Sequence, residues 1–395
     1  MDETRFFAFP DGVERVLHDV RAASVLQGLL QRYGWQRAAI VCSRTLRQRT
    51  AAVQEVEAAL GERAVLVFDE VGEHAPMGNV LRAAEALRAV RADAIVAIGG
   101  GSVLDFCKFV QIALSENART RDELHRLEWR MAADGSEILP GSLAPPVIRQ
   151  IAVPTTLATA EWTAGGTPVD ETTRVKARIA GVRAAPVAIV YDPDLLALTP
   201  YSLLAATAVR GLDHAINTAL AERPHPLAGL LAEKAVALYF DALPRLKRST
   251  VDRAALSDCQ LATWATGLGQ TTMATLHGFS HWMTHIVAPL AGIAHSDAAC
   301  VLMLAQARWF GPVARPRYEA LLRAMGRASD VPFADLLHSL LLELELPTTL
   351  GAIGIDDALI ERSIPLALQH PLVTRHNLRP IRTAQDIRDV LALAR

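Results

Sequence analysis

The chain has 395 residues, 51% of them hydrophobic and 21% charged, with a formal net charge of -2. That length exceeds what one hydrophobic core serves well, so two domains are expected. Basic residues dispersed among acids exclude a nucleic-acid surface, and no apolar run is long enough to cross a bilayer.

Met1-Asp2-Glu3-Thr4-Arg5 lacks the basic-then-apolar pattern of a secretory leader. Residues 37–42 read as a strand and 53–60 as a helix, with Val53, Val56 and Leu60 on one apolar face. A strand at 64–68, a helical face at 80–87 and a strand at 94–98 continue the alternation, and 151–154 and 187–191 add two strands. This order predicts a parallel sheet flanked by helices. Residues 117–146, more charged and holding Asp134-Gly135 and Pro140-Gly141, read as a surface excursion. After Asp192-Pro193 the texture changes, and from Ser202 to about residue 345 Ala and Leu recur at helical spacing. The expected fold is an α/β domain with a parallel sheet over residues 1–198 and an all-α catalytic domain over 199–395, with the active site in the cleft between them. Cys42, Cys107, Cys259 and Cys300 show no paired metal spacing. They are expected to be buried thiols of a cytoplasmic protein.

The strand at 94–98 runs into Gly99-Gly100-Gly101-Ser102 and a helix carrying Asp105 and Lys108. Three glycines let a pyrophosphate approach the backbone, and the helix N-terminus offers free N–H groups and a favourable dipole. The glycines are consecutive, unlike the spaced Rossmann fingerprint, so an ordinary strand-to-helix turn is an equal reading. Asp105 and Lys108 alone read equally as a solvated face. Ser43 and Arg44 stand where an acid would favour NAD. A hydroxyl and a guanidinium suit a 2′-phosphate, so NADP(H) is expected to be accepted; an Arg44 pointing to solvent is the other reading.

Four of the 12 histidines fall within residues 277–295. Imidazoles gather where protons or metals are handled near neutral pH. His281 and His285 are i and i+4, on one helix face, and His295 would approach from the next element. His214 has Arg210 one helical turn before it. His277 lies one turn off this set and reads as a core or surface imidazole, and His225 as a loop residue.

Several motifs together resemble the iron-containing (group III) alcohol dehydrogenases. Gly99-Gly100-Gly101-Ser102 with Asp105 and Lys108 resembles GGGSxxDxxK, and Pro154-Thr155-Thr156 with Glu161 resembles the PTT segment at the spacing of the maleylacetate reductase branch. His74-Ala75-Pro76 is similar to that same branch, and Asn377-Leu378-Arg379-Pro380-Ile381 to the family tail. The family's DxxxH, HxxxH and later histidine are matched at His214, His281, His285 and His295. The resemblance spans roughly residues 35–385. It implies an N-terminal dinucleotide-binding domain, a helical C-terminal domain and hydride transfer from NAD or NADP in the cleft, in a homodimer. Gly99, Gly100, Gly101 and Ser102 would hold the pyrophosphate, with Asp105 in the same cofactor signature, and Thr155 and Thr156 would flank the ribose region. His285 would sit near nicotinamide and substrate as a proton relay, which needs a pKa near working pH. His214, His281 and His295 fall on the ligand positions for iron or zinc.

One position departs: Arg210 stands where the family has its aspartate ligand. A guanidinium has no lone pair, and about 5 Å from a divalent ion it would add roughly 7 kcal/mol of repulsion at an effective dielectric near 20. Asp213 reaches the ligand position only with backbone adjustment and reads as a supporting residue. Arg210 is expected to replace the metal electrostatically and to bind a substrate carboxylate, with His214, His281 and His285 sharing the catalytic work. A salt bridge from Arg210 to Asp213 or Glu161 is the structural alternative. The expected function is NAD(P)H-dependent reduction of a small carbonyl or keto acid without metal. Alternatives are a metal-dependent alcohol dehydrogenase using His214, His281 and His295, a lyase resembling dehydroquinate synthase, and a nucleotide-binding scaffold. Trp162, Phe279 and Trp282 are candidate pocket walls.

Overall fold

The computed structural model describes residues 12–72, 75–131, 137–138, 143–173, 175–181, 183–222, 225–272, 277–328, 331–374 and 377–395. His74, Asp134-Gly135 and Pro140-Gly141 lie outside the described residues. The chain divides into two compact units that meet between Thr199 and Pro200 in sequence.

The first unit is built on six parallel strands: β1 (Arg15–His18), β2 (Ala38–Cys42), β3 (Ala64–Phe68), β4 (Ala94–Gly99), β5 (Arg149–Pro154) and β6 (Ala188–Tyr191). Their order across the sheet is β1-β6-β5-β4-β2-β3. The central strands are apolar on both faces because helices cover both, as parallel sheets require. Ala39, Val41, Ile95 and Ala97 face α4 (Met77–Ala89) and α5 (Gly101–Ser115), counting α1 (Ala22–Tyr33), α2 (Arg44–Arg49) and α3 (Ala52–Leu60) before them. The alternate residues Ile40, Cys42, Val96 and Ile98 pack on the other face with α1 and α3. The sequence reading did not anticipate β1, a four-residue edge strand paired only with β6. The described part of the 117–146 excursion includes a short helix, Arg121–His125. It is tied to the 169–178 segment by Arg121 with Glu171, by His125 with Asp170, and by Arg178 lying 4.7 Å over the Trp129 ring.

The second unit is helical, and no sheet strand occurs among its described residues. It opens with α6 (Tyr201–Ala219), α7 (Pro226–Arg248), α8 (Arg253–Thr272), α9 (Phe279–Ala291) and α10 (His295–Phe310). Helices continue to Ala384–Ala392, well past the stretch the Ala/Leu spacing marked out. α6 packs on α7, α8 and α10, and α10 also packs on α9. The turn at Gly292 separates α9 from α10 by three residues, which brings His295 back beside His285. His225 caps α7, its Nδ1 accepting from the Leu227 N–H at 3.2 Å. All four cysteines are free and buried. Among the described residues no helix is long and apolar enough to cross a membrane.

Candidate active site

In the α/β unit the glycine turn is pinned by its neighbours. The Thr155 N–H donates to the Gly99 carbonyl at 3.0 Å, and a Cβ on Gly100 would sit 2.9 Å from Thr156 Cγ2. Thr155 and Thr156 are both buried against this turn. Lys108 is fully buried, and its ammonium donates to Asp105 Oδ1 (2.7 Å), the Ala160 carbonyl (2.6 Å) and Thr163 Oγ1 (2.7 Å). The signature lysine therefore ties the segment after the PTT motif to α5, and Asp105 turns to that lysine. Neither is a solvated face. Glu161 is buried beside them and accepts from the Tyr191 hydroxyl at 2.7 Å, which in turn accepts from Trp162 Nε1 at 2.9 Å.

A cavity of about 600 Å³ runs along the same end of the sheet, lined among others by Ser43, Arg44, Asp69, Glu70, Arg82 and Ser102. Ser43 caps α2 by accepting from the Leu46 N–H, and Arg44 opens that helix, exposed. The two acids of the cavity are already paired, Asp69 with Arg47 (3.2 Å) and Glu70 with Arg82 (3.3 Å). Arg44 has no ion pair among the described residues.

In the helical unit five imidazoles form a continuous series. Ring centroids are 4.9 Å apart for His214 and His277, 5.0 Å for His214 and His281, and 4.4 Å for His277 and His281. His285 follows at 5.1 Å from His281, and His295 at 5.2 Å from His285. The nitrogens of His214, His277 and His281 lie within 4.8 Å of one another. The structure thus places His277, which the sequence reading set aside, with His214 and His281. His295 stands against His285 instead. His277 stands four residues before His281, the same spacing that joins His281 to His285, so periodicity carried a signal for it; although it precedes the helix, the chain around Gly278 keeps it beside His281.

Arg210 and Asp213 border this cluster from α6. Arg210 Nη1, Asp213 Oδ2, His277 Nε2 and His281 Nδ1 are shielded from solvent and have no hydrogen-bond partner. The salt bridge from Arg210 to Asp213 or Glu161 is not formed: Arg210 has no ion pair among the described residues, and Asp213 Oδ1 instead accepts from Ser280 Oγ (2.7 Å) and Asn217 Nδ2 (2.8 Å). Its Oδ2 faces His281 Nδ1 at 3.5 Å.

Burial dominates the electrostatics here. It lowers the Arg210 pKa, opposed by Asp213, and raises that of Asp213, opposed by Ser280 and Arg210. Burial and then the neighbouring imidazoles and Arg210 hold His214 and His277 well below the ordinary imidazole range. His281 is pushed down to about 3 by burial, Arg210 and His295. His285, the exposed member, is lowered in the same direction by partial desolvation, His281, Arg210 and His295. These rings are neutral near pH 7, with lone pairs available to a ligand. His285 therefore does not meet the near-neutral pKa expected of a resting proton donor. It can still relay a proton by accepting at one nitrogen and releasing from the other. Of the candidate walls, Phe279 and Trp162 are core residues, whereas Trp282 lies 5.0 Å from His281 and 5.4 Å from His370.

Comparison with known proteins agrees with this layout. Residues 14–193 match the family profile "Iron-containing alcohol dehydrogenase", and residues 204–394 match "Fe-containing alcohol dehydrogenase family, C-terminal". The chain is 27% identical over 356 residues to 4-hydroxybutyrate dehydrogenase of Cupriavidus necator, covering 89% of this chain and 90% of that protein. It is 26% identical over 349 residues to maleylacetate reductase of Sphingobium indicum, covering 88% and 86%. The fold is similar to that of sulfoacetaldehyde reductase from Bifidobacterium kashiwanohense, solved in complex with NAD+, with a TM-score of 0.84, 21% identity and coverage of 99% and 98%.

Proposed function

Because this chain belongs to the iron-containing alcohol dehydrogenase superfamily, in its maleylacetate reductase-like branch, we propose that it is an oxidoreductase reducing a small keto acid with NAD(P)H and without a metal. Arg210 is the observation that carries this reading: a guanidinium whose Nη1 is shielded from water, lacks an acceptor, and acts electrostatically on four neighbouring histidines. A fixed cation of this kind polarises a carbonyl and stabilises the developing alkoxide, and its fork suits a substrate carboxylate. His285 would deliver the proton to the product oxygen, with His281 and His214 holding its surroundings neutral.

The cavity from Arg44 to Ser102 fits a nicotinamide dinucleotide, with the α5 N-terminus for the pyrophosphate and Arg44 for a 2′-phosphate. When bound, the nicotinamide supplies the hydride. The NAD+ complex of the similar sulfoacetaldehyde reductase supports a dinucleotide on this fold, and the unpaired Arg44 supports acceptance of NADPH.

A second reading is favoured by the His214, His277 and His281 nitrogens lying within 4.8 Å of one another. They could hold iron or zinc as a Lewis acid. The charge of Arg210 acts on all three rings and would repel a dication, so this reading ranks second.

Metal content and NADPH oxidation with keto acids and simple aldehydes, before and after chelation, test the choice. Turnover that survives chelation in metal-free protein is expected. Stoichiometric iron or zinc lost together with activity would overturn the metal-free reading, and a strong preference for NADH would remove the role given to Arg44.

A further inference from the structure

We infer that Asn217, Gln306 and Asn377 are positioning residues for the histidine cluster, holding the start of the helix that carries His281 and His285. The inference rests on reading that cluster as the active site. α9 begins at a glycine, and Gly278 offers no side-chain cap. Its first N–H groups are buried and cannot turn to water, so partners must come from elsewhere. Three successive amides find three side-chain oxygens. The Gly278 N–H donates to Asn217 Oδ1 at 3.0 Å, the Phe279 N–H to Asn377 Oδ1 at 2.9 Å, and the Ser280 N–H to Gln306 Oε1 at 2.7 Å. The acceptors belong to α6, to the C-terminal tail and to α10, and all three residues are buried.

The three amides are themselves fixed. Gln306 Nε2 donates to Asn217 Oδ1 (3.1 Å), Asn377 Nδ2 to the Val373 carbonyl (2.8 Å), and Asn217 Nδ2 to Asp213 Oδ1 (2.8 Å) and Ser280 Oγ (2.9 Å). Gln306 and Asn217 therefore run without a break to Asp213, whose other oxygen faces His281, while Asn377 ties the helix start to the C-terminal tail. A Cβ at Gly278 would crowd all three acceptors, lying 3.1, 3.2 and 3.3 Å from the Asn377, Gln306 and Asn217 oxygens. Amides suit this place better than the usual capping carboxylates. They satisfy the helix start without adding negative charge that would cancel the field of Arg210. His281 stands less than one turn into α9 and His285 about one turn further, so a small shift of the helix start moves both rings.

Asn377→Ala removes the acceptor for Phe279, and Asn377→Asp keeps an acceptor while giving up the bond to Val373. Two measurements are made on each: histidine-ring ¹⁵N NMR, which needs no turnover, and steady-state reduction with NADPH. Asn377→Ala is expected to move the His281 and His285 ring signals and to lower kcat on the order of 10–100-fold, with NADPH affinity unchanged. Asn377→Asp should recover part of both. If the ring signals move but no carbonyl is reduced even by the parent protein, the clasp stands and the reductase reading falls. A folded Asn377→Ala protein whose ring signals stay in place overturns the clasp, whatever its kcat. Should that variant not fold, Gln306→Met, similar in length and without the acceptor, is read by the same two criteria.

Discussion

Lys108 and Arg210 each hold a charged nitrogen out of contact with water, and the two are treated in opposite ways. Lys108, in the α/β unit, is fully buried and makes short hydrogen bonds to a carboxylate, a carbonyl and a hydroxyl. Arg210, in the helical unit, keeps a shielded nitrogen with no acceptor. Buried charge is costly to leave unpaired, so a protein retains such a group when something outside the chain completes it. Lys108 ties α5 to the segment after the PTT motif, whereas on the function proposed above Arg210 is held ready for a ligand. The sequence presents both as single basic residues on helices, and only their surroundings separate them.

The comparison breaks most visibly if Lys108 is removed. Lys108→Met should lower the unfolding free energy by about 3–5 kcal/mol, the cost of breaking a buried pair, as read by urea denaturation. Arg210→Met should leave stability within about 1 kcal/mol, because no ion pair is lost, yet lower kcat/KM about 10²–10³-fold. An Arg210→Met protein that unfolds readily would make Arg210 a structural cation like Lys108. Glu161 sharpens the contrast within the α/β unit. Burial lifts its carboxyl to about 7 from 4.5, against the Tyr191 hydrogen bond and the charge of Lys108. Below the unfolded value both states hold the proton, and between the two values only the folded state does. Stability should therefore fall as pH rises through that window, by roughly 3 kcal/mol in all, then level off. Glu161→Gln should flatten this slope in denaturation measured at the two ends of the window, and an unchanged slope would place the effect elsewhere. The smallest effect concerns Thr159, a buried β-branched residue at φ 60 in the segment that Lys108 tethers. Thr159→Gly should raise thermal stability by about 0.5–1 kcal/mol, the relief of left-handed strain less the added chain entropy of glycine. A loss of stability would mean that its buried packing and hydroxyl bond together outweigh the strain.

Much of the fold was legible. Strands β2 to β6 announce themselves as apolar runs because a parallel sheet is covered on both faces, and the change to helical spacing after Asp192-Pro193 stands beside the break between units at Thr199. β1 was not legible, since Val16 and Leu17 are too few to form a pattern and only pairing with β6 makes them a strand. At the candidate site, His281 and His285 were readable from helical spacing and Arg210 from its offset to His214. Of the clasp residues only Asn377 carried a local signal, as part of the tail motif; Asn217 and Gln306 carried none, because the three are far apart in sequence and meet only at the start of α9.

The amino-acid sequence by itself determined the two-part architecture, the glycine turn, and the presence of a guanidinium one helical turn before a histidine. These depend on spacing along one element, which covalent geometry sets. Tertiary structure alone decided that His214 joins His277 and His281, that His295 pairs with His285, and that Lys108 is satisfied while Arg210 Nη1 is not. Those outcomes depend on which distant groups are brought within hydrogen-bonding reach, and on how much water the packing around them excludes.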